Sequence, residues 1–167
     1  MKKIVIASLV MLLLMLAIVP AGCTTFTGDK IAVIPLSGPI VAGGGSFFYG
    51  QTITADLVRE QLDKAEKDNS VKAIVLRIES PGGVVTPCQE ILEEIGEVKQ
   101  TKPIVVSMGN QATSGGYYIS CTADKIVALP GTLTGSIGVT SQIPNVKGLY
   151  EKLGIEIEVI KGGRYKD

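Results

Sequence analysis

An α/β fold built on a mainly parallel sheet is predicted by three observations in this chain. Compact apolar runs, such as residues 73–78 and 103–107, are continuous rather than alternating, as in strands buried between helical layers. Between them lie stretches with apolar residues at helical spacing, residues 54–68 and 85–98. Glycine and proline turns separate the runs, so that each strand can feed a right-handed crossover to a parallel neighbour.

The first element is not part of that fold. Met1-Lys2-Lys3 gives a basic start, and residues 4–19 are apolar with Ser8 as the one polar position. Lysines on this flank stay cytoplasmic, which places everything after the run outside, at the cell membrane. Pro20-Ala21-Gly22-Cys23 follows. Small residues before Cys23 resemble the lipobox of lipoproteins, with Pro20 where a leucine-like residue is usual, and Cys23 is the candidate lipidation site. Two readings stay open for residues 1–23: a cleaved signal, and an uncleaved anchor long enough to span a bilayer. Residues 24–30 form a polar linker, and residues 31–167 form one globular domain, in keeping with the length and the hydrophobic fraction of 46%.

Residues 31–36 form the first strand, bounded by Pro35 and Gly38. A Gly43-Gly44-Gly45-Ser46 connector leads to the aromatic cluster Phe47-Phe48-Tyr49, which could touch lipid or substrate. Ala55, Leu57, Val58, Leu62 and Ala65 mark the helix of residues 54–68. Strand 73–78, the turn Ser80-Pro81-Gly82-Gly83 and helix 85–98 come next. Strand 103–107 leads toward Ser114, a short helix carries Tyr117, Tyr118 and Ile119, and residues 125–129 form a fourth strand. A glycine-spaced segment, residues 134–139, precedes a helix over 146–153 and a last strand over 156–160.

Sixteen basic residues balance sixteen acidic ones, which gives no general attraction to nucleic acid. Cys23, Cys88 and Cys121 have no metal-ligand spacing, and the chain contains no histidine, so neither a metal nor a cofactor is expected. Cys88 and Cys121 could pair in an oxidising compartment, but buried free thiols are the preferred reading.

Ser114 stands in Ala112-Thr113-Ser114-Gly115-Gly116-Tyr117-Tyr118, between a strand and a glycine-led helix, where α/β folds place a nucleophile. Ordinary turn chemistry would account for a serine beside glycines. The helix start, however, leaves the Gly115 N–H unpaired, and the Ser80-Pro81-Gly82-Gly83 turn offers a second N–H at Gly83. Loops at the carboxyl ends of adjacent parallel strands share one edge, so the two donors can converge as an oxyanion hole. Without histidine, the base must be a lysine whose amine is desolvated enough to lose its proton. Residue chemistry leaves Lys161 and Lys166 both open.

Four ordered motifs carry a resemblance. They are Ser80-Pro81-Gly82-Gly83, the segment around Ser107-Met108-Gly109 and Ser114, Leu133-Thr134-Gly135-Ser136-Ile137-Gly138-Val139, and Lys161-Gly162-Gly163-Arg164-Tyr165-Lys166-Asp167. From about residue 31 onward the chain resembles the signal peptide peptidase A (SppA) family of membrane-anchored Ser/Lys serine proteases. The resemblance implies a repeated β-β-α spiral like that of the Clp protease and crotonase superfamily. It implies Ser114 as nucleophile, Lys166 as general base, Gly83 and Gly115 as oxyanion donors, and Ser136 as the residue that positions the lysine. It also implies homo-oligomers in which neighbours complete the sites, and further helical structure after this lysine, so the domain is read as C-terminally truncated. Thr113 stands where many relatives have alanine.

The expected function is therefore hydrolysis of membrane-released peptides, notably cleaved signal peptides, through an acyl-enzyme. An inactive membrane-tethered protein that binds peptides or partners on the same fold is the alternative. A crotonase-like acyl-CoA enzyme would use the same paired N–H groups, but export and a nucleophilic serine weigh against it.

Overall fold

A computed structural model describes residues 28–43 and 50–166. The expectations for residues 1–23, Cys23 and the Phe47-Phe48-Tyr49 cluster lie outside the described residues. In chain order the elements are β1 (Lys30–Ser37), α1 (Ala55–Lys67), β2 (Val71–Ser80), α2 (Val85–Val98), β3 (Ile104–Thr113), α3 (Gly115–Ser120), β4 (Lys125–Val127), β5 (Leu133–Gly135) and α4 (Lys147–Leu153). Every ladder is parallel, in the order β1-β2-β3-β4, with β5 also paired to β3. This is the mainly parallel α/β sheet that the strand and helix pattern predicts.

Local chemistry explains the helices. The Thr54 hydroxyl caps α1 by accepting the Leu57 N–H at 3.2 Å. Ala55, Val58, Leu62 and Ala65 turn inward, while Lys64–Glu60 and Lys67–Asp63 pair one helical turn apart on the wet face. In α2 the buried residues are Pro87, Cys88, Ile91, Ile95 and Val98. Both helices cover the sheet face formed by Ile34, Leu36, Ile74, Leu76, Ile78, Ile104, Val106 and Met108, all buried. Each fully buried Leu or Ile of this layer stabilises the fold by roughly 1.5–3 kcal/mol.

The opposite sheet face differs from expectation. Ile31 and Val33 are each 64% exposed, and Arg77 extends across this face to donate to Ser107 Oγ and the Met108 carbonyl, both at 2.9 Å. Strands that read as buried on both sides are thus covered on one side among the described residues.

Boundaries shift where side chains take over from pattern. β3 continues to Thr113 rather than stopping at Ser107, through a bulge that the polar run Gly109-Asn110-Gln111 hides from a hydrophobicity reading. β5 has only three residues, held by Thr134 Oγ1 donating to the Ala112 carbonyl at 2.9 Å. The strand expected over residues 156–160 does not form. Ile157, Val159 and Ile160 are exposed without regular structure, because strand propensity needs a ladder partner and β4 and β5 already share that side of β3.

The start of β3 is tied to the loop before β4 by a carboxylate. Asp124 Oδ2 accepts the Ile104 N–H at 2.8 Å. That bond above all holds the Asp124 carboxyl below its ordinary value, against an opposing effect of burial and with further help from Lys99. A depressed folded value means the contribution is complete above the unfolded carboxyl value, near pH 4, and is lost as pH falls through the lower folded value. Asp124→Asn is therefore expected to lower Tm at pH 7 and to lower it progressively less as pH falls below about 4, measured by thermal melts across that range.

Candidate active site

Ser114 is where β3 ends and α3 begins. Its backbone has φ 51° and ψ −118°, a left-handed conformation that is uncommon for a non-glycine residue and costs on the order of 1–3 kcal/mol. It is held there by bonds on both sides. The Ser114 N–H donates to the Gly135 carbonyl at 2.8 Å, and its own carbonyl accepts the Tyr118 N–H at 2.9 Å. Thr113, buried just before it, accepts a bond from Gln111 Nε2 at 3.1 Å.

The two donor loops meet beside this turn. A Cβ built on Gly115 would lie 3.2 Å from the Gly83 nitrogen and 2.5 Å from Cys88 Sγ. Among the described residues, neither the Gly83 N–H nor the Gly115 N–H donates to a protein acceptor. Glycine at 83 leaves room for a substrate carbonyl, and the structure adds a second demand for it. A Cβ there would overlap the Ile40 carbonyl oxygen, whose neighbours are already bonded by Ile40 N–H to the Gly82 carbonyl and by Val84 N–H to the Ile40 carbonyl, each at 2.9 Å.

A cleft of about 1000 Å³ opens over these groups. Ser114, Gly83, Gly115 and Ser136 all line it. Ser136 follows the Gly135 that holds Ser114, and it too is left-handed, with φ 53°. The lining is largely apolar: Val84, Val85 and Tyr118 contribute half-exposed surface, and Ile137 and Val139 are exposed more fully. Cys88 lies in this lining, buried, and burial pushes its thiol up from the ordinary value. Cys121, which was also expected to be buried, is exposed, because α3 ends there and its Sγ reaches back to the Tyr117 carbonyl at 3.3 Å.

Lys166 and Lys161 are not in the lining. Both lie in the exposed, irregular segment after α4. Four of the five site residues expected in the folded domain therefore come together, and the lysine stands apart from them. The left-handed backbone at Ser114 and Ser136 was not anticipated, since serine carries no signal for it. Among the described residues no group of side chains could hold a metal ion, and no helix is long and apolar enough to cross a membrane.

What the four residues can do is acyl chemistry: a hydroxyl presented on a sharp turn, two N–H groups free to receive a developing oxyanion, and an apolar trough beside them.

Comparison with known proteins gives the same class. Residues 96–167 match the model of Peptidase family S49. MJ0651 of Methanocaldococcus jannaschii, which carries a protease name, is 35% identical over 181 aligned positions, covering all of this chain and 58% of its own length. Protease 4 of Haemophilus influenzae is 40% identical over 131, with 78% of this chain and 21% of its own covered. The chloroplastic serine protease SPPA of Arabidopsis thaliana is 38% identical over 140, with 83% and 21% covered. A solved mutant of the 1510-N membrane-bound stomatin-specific protease superposes with a TM-score of 0.55 at 22% identity, over 71% of this chain and 54% of that one, and shows the shared fold. The chain spans 58% or less of each of these curated relatives.

Proposed function

The chain belongs to the SppA/S49 family of serine proteases, and from that premise we propose that it is a serine endopeptidase with Ser114 as nucleophile. One observation carries the proposal: Ser114 sits in a strained left-handed turn beside two N–H groups, of Gly83 and Gly115, that have no protein acceptor among the described residues.

In this mechanism Ser114 Oγ attacks the scissile carbonyl carbon while its proton passes to the neutral amine of Lys166. The carbonyl oxygen becomes an oxyanion between the Gly83 and Gly115 N–H groups, each donor worth roughly 3 kcal/mol in the transition state. The C–N bond then breaks, the leaving amine takes the proton from Lys166, and an ester remains on Ser114. Water, deprotonated by the same lysine, attacks the ester, releases the acid and restores the serine. Ser136 orients the lysine amine. This requires the segment carrying Lys166 to fold over the cleft, because only a desolvated amine is neutral near pH 7.

The apolar cleft suits extended peptides with aliphatic side chains, and peptides released from membranes, such as cleaved signal peptides, are the proposed substrates. Residues 1–23 would tether the domain to the extracytoplasmic side of the cell membrane, with Cys23 as the lipid attachment point if the signal is cleaved, and subunits would associate to complete one another's sites. The exposed position of Lys166 favours a second reading, a tethered peptide-binding protein without turnover.

Fluorophosphonate labelling followed by peptide mapping separates the two. Label on Ser114, lost in Lys166→Ala and retained in Lys161→Ala, is the expected result. The reverse pattern would assign Lys161 as the base, and no label on the folded wild type would leave the binding protein.

A further inference from the structure

We propose that Glu79 is a positioning residue for Ser114, acting through the bulge that its carboxylate holds in β3; the proposal rests on Ser114 being the nucleophile. Across the β2–β3 ladder, an advance from Ile78 to Ser80 on β2 faces an advance from Met108 to Ala112 on β3, so β3 carries two extra residues at this point. Their N–H groups have turned away from the ladder and are taken up by one side chain. Glu79 Oε2 accepts the Asn110 N–H at 2.7 Å, and Oε1 accepts the Gln111 N–H at 3.1 Å. Arg77 holds the Met108 carbonyl just before the bulge. Gly109 has no room for a side chain, because a Cβ there would overlap Glu79 Oε2 and stand 2.9 Å from Cδ.

The bulge governs where the nucleophile emerges. Before it, Val105, Val106 and Ser107 pair with β4; after it, Gln111, Ala112 and Thr113 pair with β5. Ser114 follows at once, its N–H on the Gly135 carbonyl. Paying out those two residues into a regular strand would slide Ser114 roughly 7 Å along β3, away from the Gly83 N–H. A carboxylate suits the task because it presents two acceptor oxygens and no donor. Glutamine, of the same size, would aim its NH₂ at one of the two N–H groups.

Glu79→Gln tests this in the full chain, read by two measurements: the rate of Ser114 acylation by a fluorophosphonate per folded molecule, and amide hydrogen exchange over residues 105–118. Acylation is expected to slow by about 10- to 100-fold, the scale of a misplacement near 1 Å, with the KM of a peptide substrate unchanged. Exchange is expected to quicken at Asn110, Gln111 and Ser114. Gly109→Ala, which evicts the carboxylate sterically, should reproduce both effects. Acylation at the wild-type rate overturns the proposal, and so does a loss that merely tracks the unfolded fraction. Quicker exchange that stops at Gln111 and leaves Ser114 protected also overturns it. If the wild type takes no label, the nucleophile assignment fails, and the exchange at Ser114 alone decides whether Glu79 sets that backbone.

Discussion

Ser114→Ala is expected to abolish peptide hydrolysis, by up to about 10⁶-fold as for other serine nucleophiles, while leaving Tm within about 2 °C of the wild type. Alanine keeps the Cβ and so inherits the strain of φ 51°. Ser114→Gly should be equally inactive but more stable, because glycine occupies that region freely and recovers part of the roughly 1–3 kcal/mol held in the turn. A Tm about 3 °C above wild type in Ser114→Gly, with no hydrolysis in either variant, would establish that the serine is kept for chemistry against the preference of the fold. Hydrolysis by Ser114→Ala at the wild-type rate would remove the nucleophile from this position.

Gly83→Ala carries the second large effect, and it acts on both stability and rate. The new methyl group would overlap the Ile40 carbonyl oxygen, so the backbone must part there and give up at least one of the two bonds that join Ile40 to Gly82 and Val84. Overpacking of 1–3 kcal/mol and a lost hydrogen bond of about 1 kcal/mol add to a fall in Tm of roughly 10 °C. The displaced Gly83 N–H would also cost on the order of 10²- to 10³-fold in kcat, the usual effect of losing an oxyanion donor. Thermal melts and steady-state kinetics on the same preparation read the two together. An unchanged kcat in a folded Gly83→Ala protein would remove Gly83 from the oxyanion hole.

Much of this architecture was legible because its causes are local. The helix over residues 85–98 follows from apolar spacing and ends where the pattern ends. The Ser114 turn could be read from a strand running into paired glycines, and Gly83 from the proline-glycine turn after β2. Other features were hidden because their causes lie at a distance in sequence. The β3 bulge exists because Glu79 on another strand accepts its N–H groups. The three residues of β5 are too few to show a period, and a threonine hydroxyl holds them. Residues 156–160 show the converse case, in which a good strand pattern finds no ladder to join. The choice between Lys161 and Lys166 could not be read from residue chemistry, since it depends on which amine becomes dry, a property of packing rather than of the lysine itself.

The bond from the Ser114 N–H to the Gly135 carbonyl also bears on the order of events during synthesis. The serine leaves the ribosome before the strand that clamps it, and until β5 docks the turn lacks one of its two holds, the other being the bond from the Tyr118 N–H to the Ser114 carbonyl. A half-made chain thus carries the hydroxyl without the complete geometry that the proposed chemistry needs. On the proposed mechanism, hydrolytic capacity would switch on late in folding, after the β1–β3 core can already have formed, a delay between making the polypeptide and arming it. Fluorophosphonate pulses during refolding, compared with the recovery of β-sheet signal, would measure that delay directly, and simultaneous recovery of the two would show that none exists.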